Sequence, residues 1–182
     1  DARRASDLAA YAPRGSRAND IQALWYGQLL AGVDFAQRVG DSAAAERWSK
    51  AAERARQGFT RLFVSAGDSQ RPPSIADHVT AQGVADHTLR PNVLFALDLV
   101  PAGDAARITA RVWRTLVFPW GVTTLDPADP GFHPYHFTPN CWHKDAAYHN
   151  GAVWPWLDGI AIERMAGFGQ VERAWQLFRA RS

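Results

Sequence analysis

Residues 144 to 156 read KDAAYHNGAVWPW. Lys144, Asp145, His149 and Asn150 offer hydrogen-bond donors and acceptors, while Tyr148, Trp154 and Trp156 offer flat apolar rings. Aromatic faces pack on the C–H faces of sugar rings, and neighbouring polar side chains pair with hydroxyls, so the mixture suits a polyol pocket. A core helix would carry leucine and alanine here, and a plain surface loop serine, glycine and charge.

Two further chemistries are open. Glycoside hydrolysis needs two carboxylates, and those outside obvious solvated faces are Asp1, Asp20, Asp86, Asp126, Asp145 and Asp158. None forms a tight pair in sequence, and any one is more often a helix cap or a structural ion pair than a catalyst. His133, His136, Cys141, His143, Asp145 and His149 also fall close together, and such side chains can bind zinc. Their spacing matches no standard zinc signature, so the expectation is that no metal binds and that the histidines hydrogen-bond within the loop or face hydroxyls.

These residues need a scaffold. The 182 residues suffice for a single domain spanning 1–182, and a hydrophobic content of 47% argues against disorder. No apolar run approaches the roughly 18 residues of a membrane-spanning helix, so no membrane partner is expected. A net charge of +2 gives no electrostatic case for nucleic acid. One cysteine, Cys141, excludes an internal disulfide and fits a reducing compartment, so a cytoplasmic location is expected. The start at Asp1 and the end within a helical run at Ser182 suggest a fragment.

The helical period dominates. Ile21, Leu24, Trp25, Leu29 and Val33 mark one face of a first helix ending near Gly40. Asp41 or Ser42 can cap a second, with Trp48, Ala52, Ala55, Phe59, Leu62 and Phe63 inward. A loop covers 65–88, and Pro91 opens a short helix over 91–100. Asp104 can cap a fourth helix with Ile108, Val112, Trp113 and Leu116 inward. Residues 118–150 break the period with five prolines and several aromatics. A fifth helix is expected from Trp154 to about Met165, and a sixth with Val171, Ala174, Trp175 and Phe178 on one face. Trp48, Trp113 and Trp175 read as core. The pattern predicts an all-α fold of about three helical hairpins, with long loops gathered at one end.

Five stretches in this order resemble the C-terminal glucosidase region of glycogen debranching enzymes, the bacterial amylo-α-1,6-glucosidase-like family. They are DAR at 1–3, PRGSRANDIQALWY at 13–26, LRPNVLFALDL at 89–99, WGVTTLDPADPGFHPYH at 120–136 and KDAAYHNGAVWPWL at 144–157. The resemblance implies a partial (α/α)6 toroid, truncated at both ends, and inverting hydrolysis of α-1,6-linked glucose. It implies Asp1 as general acid, with the second catalytic carboxylate in a later motif resembling S-E-I-F-D-G that these residues lack. Where the family has V-E-I, this chain has Asn19-Asp20-Ile21. The implied substrate-binding residues are Asp20, Trp25, Arg90, Asn92, Tyr135, His136, Lys144, Asp145, Tyr148, His149, Asn150, Trp154 and Trp156. The implied partner is an α-glucan or branched oligosaccharide, with no cofactor and with self-association through an exposed flank. The isolated chain is expected to be inactive. Two other readings stay open: a non-catalytic sugar-binding or structural helical module, and a metal-dependent hydrolase built on the 133–149 loop.

Overall fold

The structure, a computed structural model, describes residues 10–136 and 142–180. Asp1 and Cys141 lie outside the described residues. The chain is mostly helical. Helix α1 (Asn19–Arg38) packs along α2 (Ser42–Phe63). The turn between them needs Gly40 at φ 77°, a left-handed conformation open to glycine, and Asp41 caps α2 by accepting from the Ala44 N–H at 2.8 Å. A second pair, α5 (Pro155–Gly167) and α6 (Val171–Arg179), packs in the same way. Between these pairs, a 3₁₀ helix (Pro91–Leu99) is followed by α3 (Ala102–Leu116).

The 3₁₀ helix is the spine of the core. Val93, Leu94, Ala96, Leu97 and Leu99 are all buried, and the element touches α1, α2, α3 and α5. Nine residues is long for this helix type, whose hydrogen bonds are poorer than those of an α-helix. A side chain adds to these bonds: Arg164 Nε of α5 donates to the Leu94 carbonyl at 3.0 Å, while its two Nη atoms grip Asp98 at 2.9 and 2.7 Å. One hydrophobic cluster draws side chains from α1, α2, the 3₁₀ helix, α3, α5 and α6.

The long loops are not bare coil. They carry three antiparallel ladders of two residues per strand, which the helical period did not reveal: β1 (Val64–Ser65) with β2 (Ser74–Ile75), β3 (His78–Val79) with β4 (Ala85–Asp86), and β5 (Val117–Phe118) with β6 (Gly121–Val122). A five-residue helix, α4 (Lys144–Tyr148), forms within the expected 118–150 loop. Single bridges, Ala18 to His78 and Thr123 to Val153, tie these loops to the start of α1 and to the approach to α5.

Several expected inward faces point elsewhere. On α1 the buried residues are Asn19, Ala23, Leu29 and Ala36, whereas Ile21, Leu24 and Trp25 are each at least half exposed. The small alanines allow close helix approach, and Asn19 fixes the rotation by donating to the Ala76 carbonyl from its side chain and to Asp77 O from its backbone. On α6 Ala174 and Leu177 are buried, while Val171, Trp175 and Phe178 lie outside, the last two rings stacked at 5.5 Å. Trp48 and Leu62 are also exposed, and Trp113 is half-buried beneath the Arg173 guanidinium at 5.5 Å. Asp104 does not cap α3. Pro101 occupies that position, and Asp104 sits in the first turn, where a carboxylate favours the helix dipole.

The rotation of α1 has a direct test in urea unfolding. Leu29→Ala should cost about 2–5 kcal/mol, as for a buried leucine, whereas Leu24→Ala should stay within about 0.5 kcal/mol. Equal losses at the two positions would contradict the burial seen here.

Candidate active site

The loops enclose a cavity of about 390 Å³, within the range of small-molecule sites of roughly 300–1,000 Å³. Three segments build it. The first precedes α1: Gly15 at φ 60° turns the chain so that Ala12, Arg14 and Asp20 face the space. The second is the mouth of the 3₁₀ helix, where Arg90 is the extended residue before Pro91 and Asn92 lies one residue inside. The third is the run through α4 into α5, which contributes Tyr148, His149, Trp154, Trp156 and Leu157, with Thr124 beside it.

A charge network joins the first two segments. Arg14 Nη1 lies 2.9 Å from Asp20 Oδ1 and donates to Oδ2 at 3.1 Å. Asn92 Nδ2 donates to the same Oδ2 at 2.8 Å, so Asp20 is held from two sides. Behind them Asp77, only 2% exposed, accepts from Arg14 Nε at 2.7 Å and lies 3.9 Å from Arg90 Nε. Burial lowers the Arg14 pKa, but its bonds to Asp77 and Asp20 outweigh this, and the net shift is upward. Arg90 shifts the other way: burial is the largest cause, the like charge of Arg14 adds to it, and Asp77 opposes both.

Arg90 also fastens the third segment. It donates to the carbonyls of Thr124 and His149 and to Asn150 Oδ1 at 2.8 Å. Asn150 is buried and donates to Ala146 O and Tyr11 O, so it acts as a clasp within the wall. Gly151, at φ 142°, passes so close to the backbone of His133 that an added Cβ would collide with it. Trp154 donates to Tyr148 O at 2.9 Å and meets the Tyr148 ring edge-on at 4.6 Å. Trp156 leans on Phe95 at 5.9 Å and remains 59% exposed, leaving its ring open to a ligand.

The structure thus brings Asp20, Arg90, Asn92, Tyr148, His149, Trp154 and Trp156 around one space. Trp25 is elsewhere, beside Trp48 on the outer side of the α1–α2 pair. Tyr135 lines a separate aromatic groove with Phe118 and Trp120. His136 is exposed and borders the site only through a tilted contact with Tyr148 at 5.5 Å, and Lys144 is exposed outside the lining. Asp145 lies against its helix-capping neighbour His143 at 3.6 Å. Arg14 and Asp77 were not singled out from the sequence. Arg14 sits inside the quoted PRGSRAND run, but its carboxylate partner 63 residues away leaves no sequence signal.

Among the described residues, no group of three or more histidine, cysteine, aspartate or glutamate side chains is placed to hold a metal. The histidines are engaged with rings instead: His133 stacks on Trp142 at 4.7 Å and His143 on Tyr11 at 5.6 Å. No helix among the described residues is long and apolar enough to cross a membrane.

A model of the family described as amylo-alpha-1,6-glucosidase matches residues 1–181. The chain belongs to that family. Members of this glycoside-hydrolase-like group thus include a chain whose loop-end cavity carries the aromatic and polar mixture described above. No curated protein matches the chain. Among solved structures, the chain resembles a GH63 mannosylglycerate hydrolase from Thermus thermophilus in complex with glucose, at 14% identity and a TM-score of 0.63, over 90% of this chain and 36% of that one. It also resembles an uncharacterized conserved protein from Thermus thermophilus, at 14% identity and a TM-score of 0.62, over 88% and 36%. At these identities the likeness concerns the fold, and this amylo-alpha-1,6-glucosidase-family chain spans little more than a third of those proteins.

His149 reports on the cavity. Burial lowers its pKa and the charges of Arg90 and Arg14 lower it further, so the folded chain binds its proton less readily than the unfolded chain, whose value is near 6.5. His149 therefore adds stability that is fully present above that value and is lost as pH falls through the lower folded pKa. An NMR titration should place the His149 midpoint below 6.5, and a midpoint at or above it would contradict the burial and the two nearby guanidiniums.

Proposed function

We propose that the chain forms the sugar-recognising part of an (α/α)6 toroid in a debranching-type α-glucosidase, supplying about half of the ring. The observation that carries this reading is the shared cavity, where the indoles of Trp154 and Trp156 meet Arg14, Asp20, Arg90, Asn92 and His149 in a chain of this family. Rings to stack on sugar C–H faces and forked donors for hydroxyls are what an uncharged polyol requires. The structural neighbour solved in complex with glucose supports a monosaccharide-sized subsite. Tyr135, His136, Lys144 and Asp145 would reach only a longer glycan extending out of the cavity.

In this reading Asp1 protonates the glycosidic oxygen of an α-1,6-linked glucose. A second carboxylate, outside these 182 residues, activates water for inversion. Among the described lining residues Asp20 is the one carboxylate, and Arg14 and Asn92 both donate to its Oδ2. Inverting enzymes need two carboxyl groups roughly 6.5–9.5 Å apart. The exposed Ile21, Leu24, Trp25 and Phe35 of α1 fit contacts with the remaining helices, because exposed apolar patches mark contact surfaces. Without those helices, the same face would associate with a second copy.

The isolated chain should release no glucose from a branched dextrin, whereas a longer parent containing it should release β-glucose first, as inversion requires. Equal release by both would overturn the half-ring reading, and α-glucose as the first product would overturn inversion. Light scattering of the isolated chain should show dimers or larger species at micromolar concentration, and a strictly monomeric chain would contradict the exposed-face argument.

A further inference from the structure

We propose that Asp77 is a positioning residue for the cavity: one buried carboxylate, itself outside the lining, sets both guanidiniums that face the ligand space. The inference rests on reading the cavity as a sugar site. Asp77 is anchored on both sides of its peptide. Its N–H donates to Asp86 O at 2.7 Å, and its carbonyl accepts from Asn19 N at 3.0 Å and from Arg14 Nη2 at 3.1 Å. The backbone is thus fixed behind the cavity, and at 2% exposure almost no solvent competes for the carboxylate.

Oδ2 makes the contacts that matter. It accepts from Arg14 Nε at 2.7 Å and stands 3.9 Å from Arg90 Nε, with His78 Nδ1 at 3.4 Å. A guanidinium is planar, so the bond at Arg14 Nε fixes where the Arg14 Nη groups point, whereas Arg90, too far for a hydrogen bond to Asp77, is drawn toward it by charge alone. The Nη groups of Arg14 point to Asp20 and Asn19, and those of Arg90 to Thr124 O, His149 O and Asn150. Without Asp77 the two cations would face each other in a poorly solvated pocket, where repulsion is far stronger than in water. One carboxylate thus holds two like charges together and registers the pre-α1 segment against the α4–α5 approach. It also balances the wall, since Asp20 and Asp77 together offset Arg14 and Arg90, a state suited to an uncharged sugar. Asp77 Oδ1 has no hydrogen-bond partner among the described residues, so nothing else in the described protein engages that oxygen.

The test uses the full 182-residue chain with isomaltose as probe, following the indole NMR signals of Trp154 and Trp156 for affinity and the arginine Nε–H signals for geometry. Asp77→Asn keeps the shape and one acceptor but removes the charge. It should move the Nε–H signals of both Arg14 and Arg90 and raise the isomaltose Kd about tenfold or more, as expected for weakening charge-assisted bonds. Asp34→Asn, which loosens the exposed Arg38 pair in the last turns of α1, should move only the Arg38 signal and leave the Kd unchanged. An unmoved Arg90 signal, or an unchanged Kd in Asp77→Asn, overturns the proposal. Should Asp77→Asn fail to fold, Arg14→Lys keeps the charge but cannot bridge Asp77 and Asp20, and the Arg90 signal must still move with it. If the unsubstituted chain binds no isomaltose, the sugar reading fails, while the joint response of the two arginine signals still decides the role of Asp77.

Discussion

A buried carboxylate must find positive partners or give up its charge, because removing an ion from water costs several kcal/mol even after relaxation. Asp77 meets this constraint by drawing in Arg14 from the segment before α1 and Arg90 from the mouth of the 3₁₀ helix. Each arginine then reaches outward, one to Asp20 on α1 and the other to the carbonyls around His149. Segments more than sixty residues apart in sequence are registered by this group. The cavity follows from it, since its walls are the parts of the chain these side chains hold in place.

The hydrophobic core works on the same elements from the other end. Residues 90–99 begin with Arg90 and Asn92 at the cavity and continue through the buried Val93, Leu94, Ala96, Leu97 and Leu99. Arg164 ties this segment to α5 by donating to the Leu94 carbonyl. A shift in core packing would thus move the polar residues at the mouth, so site geometry and fold stability are coupled through a single ten-residue segment.

Helix α1 illustrates how the apolar surface divides. Ala23, Leu29 and Ala36 are packed, while the large Ile21, Leu24 and Trp25 lie outside. Helix α6 repeats the pattern with Ala174 and Leu177 inside and Trp175 and Phe178 outside. Periodicity counts apolar side chains without asking which face is shaped for close approach. The inward faces were therefore readable for α3 and most of α2, where Ala52, Phe59, Phe63, Ile108, Val112 and Leu116 are buried as expected, and only in part for α1 and α6, where Leu29 and Ala174 are buried but Ile21, Leu24, Trp25, Val171, Trp175 and Phe178 are exposed.

Local chemistry decided what the sequence by itself could determine. Gly40 and Asp41 mark the turn between α1 and α2 because a left-handed residue and an N-cap act within a few positions. Pro91 and Pro155 start helices because their missing N–H groups cost nothing there. The aromatic and polar run at 144–156, with RPN at 90–92, identified most of one cavity wall, since those side chains do their work near their own backbone. Only the tertiary structure decided the rest: that Asp77 sits behind Arg14 and Arg90, that Asn150 is a clasp, that Trp25 and Tyr135 lie outside the cavity, and that α1 turns its alanines inward. Each of those outcomes depends on which distant side chains compete for the same buried space and charge, and no spacing along the chain encodes that competition.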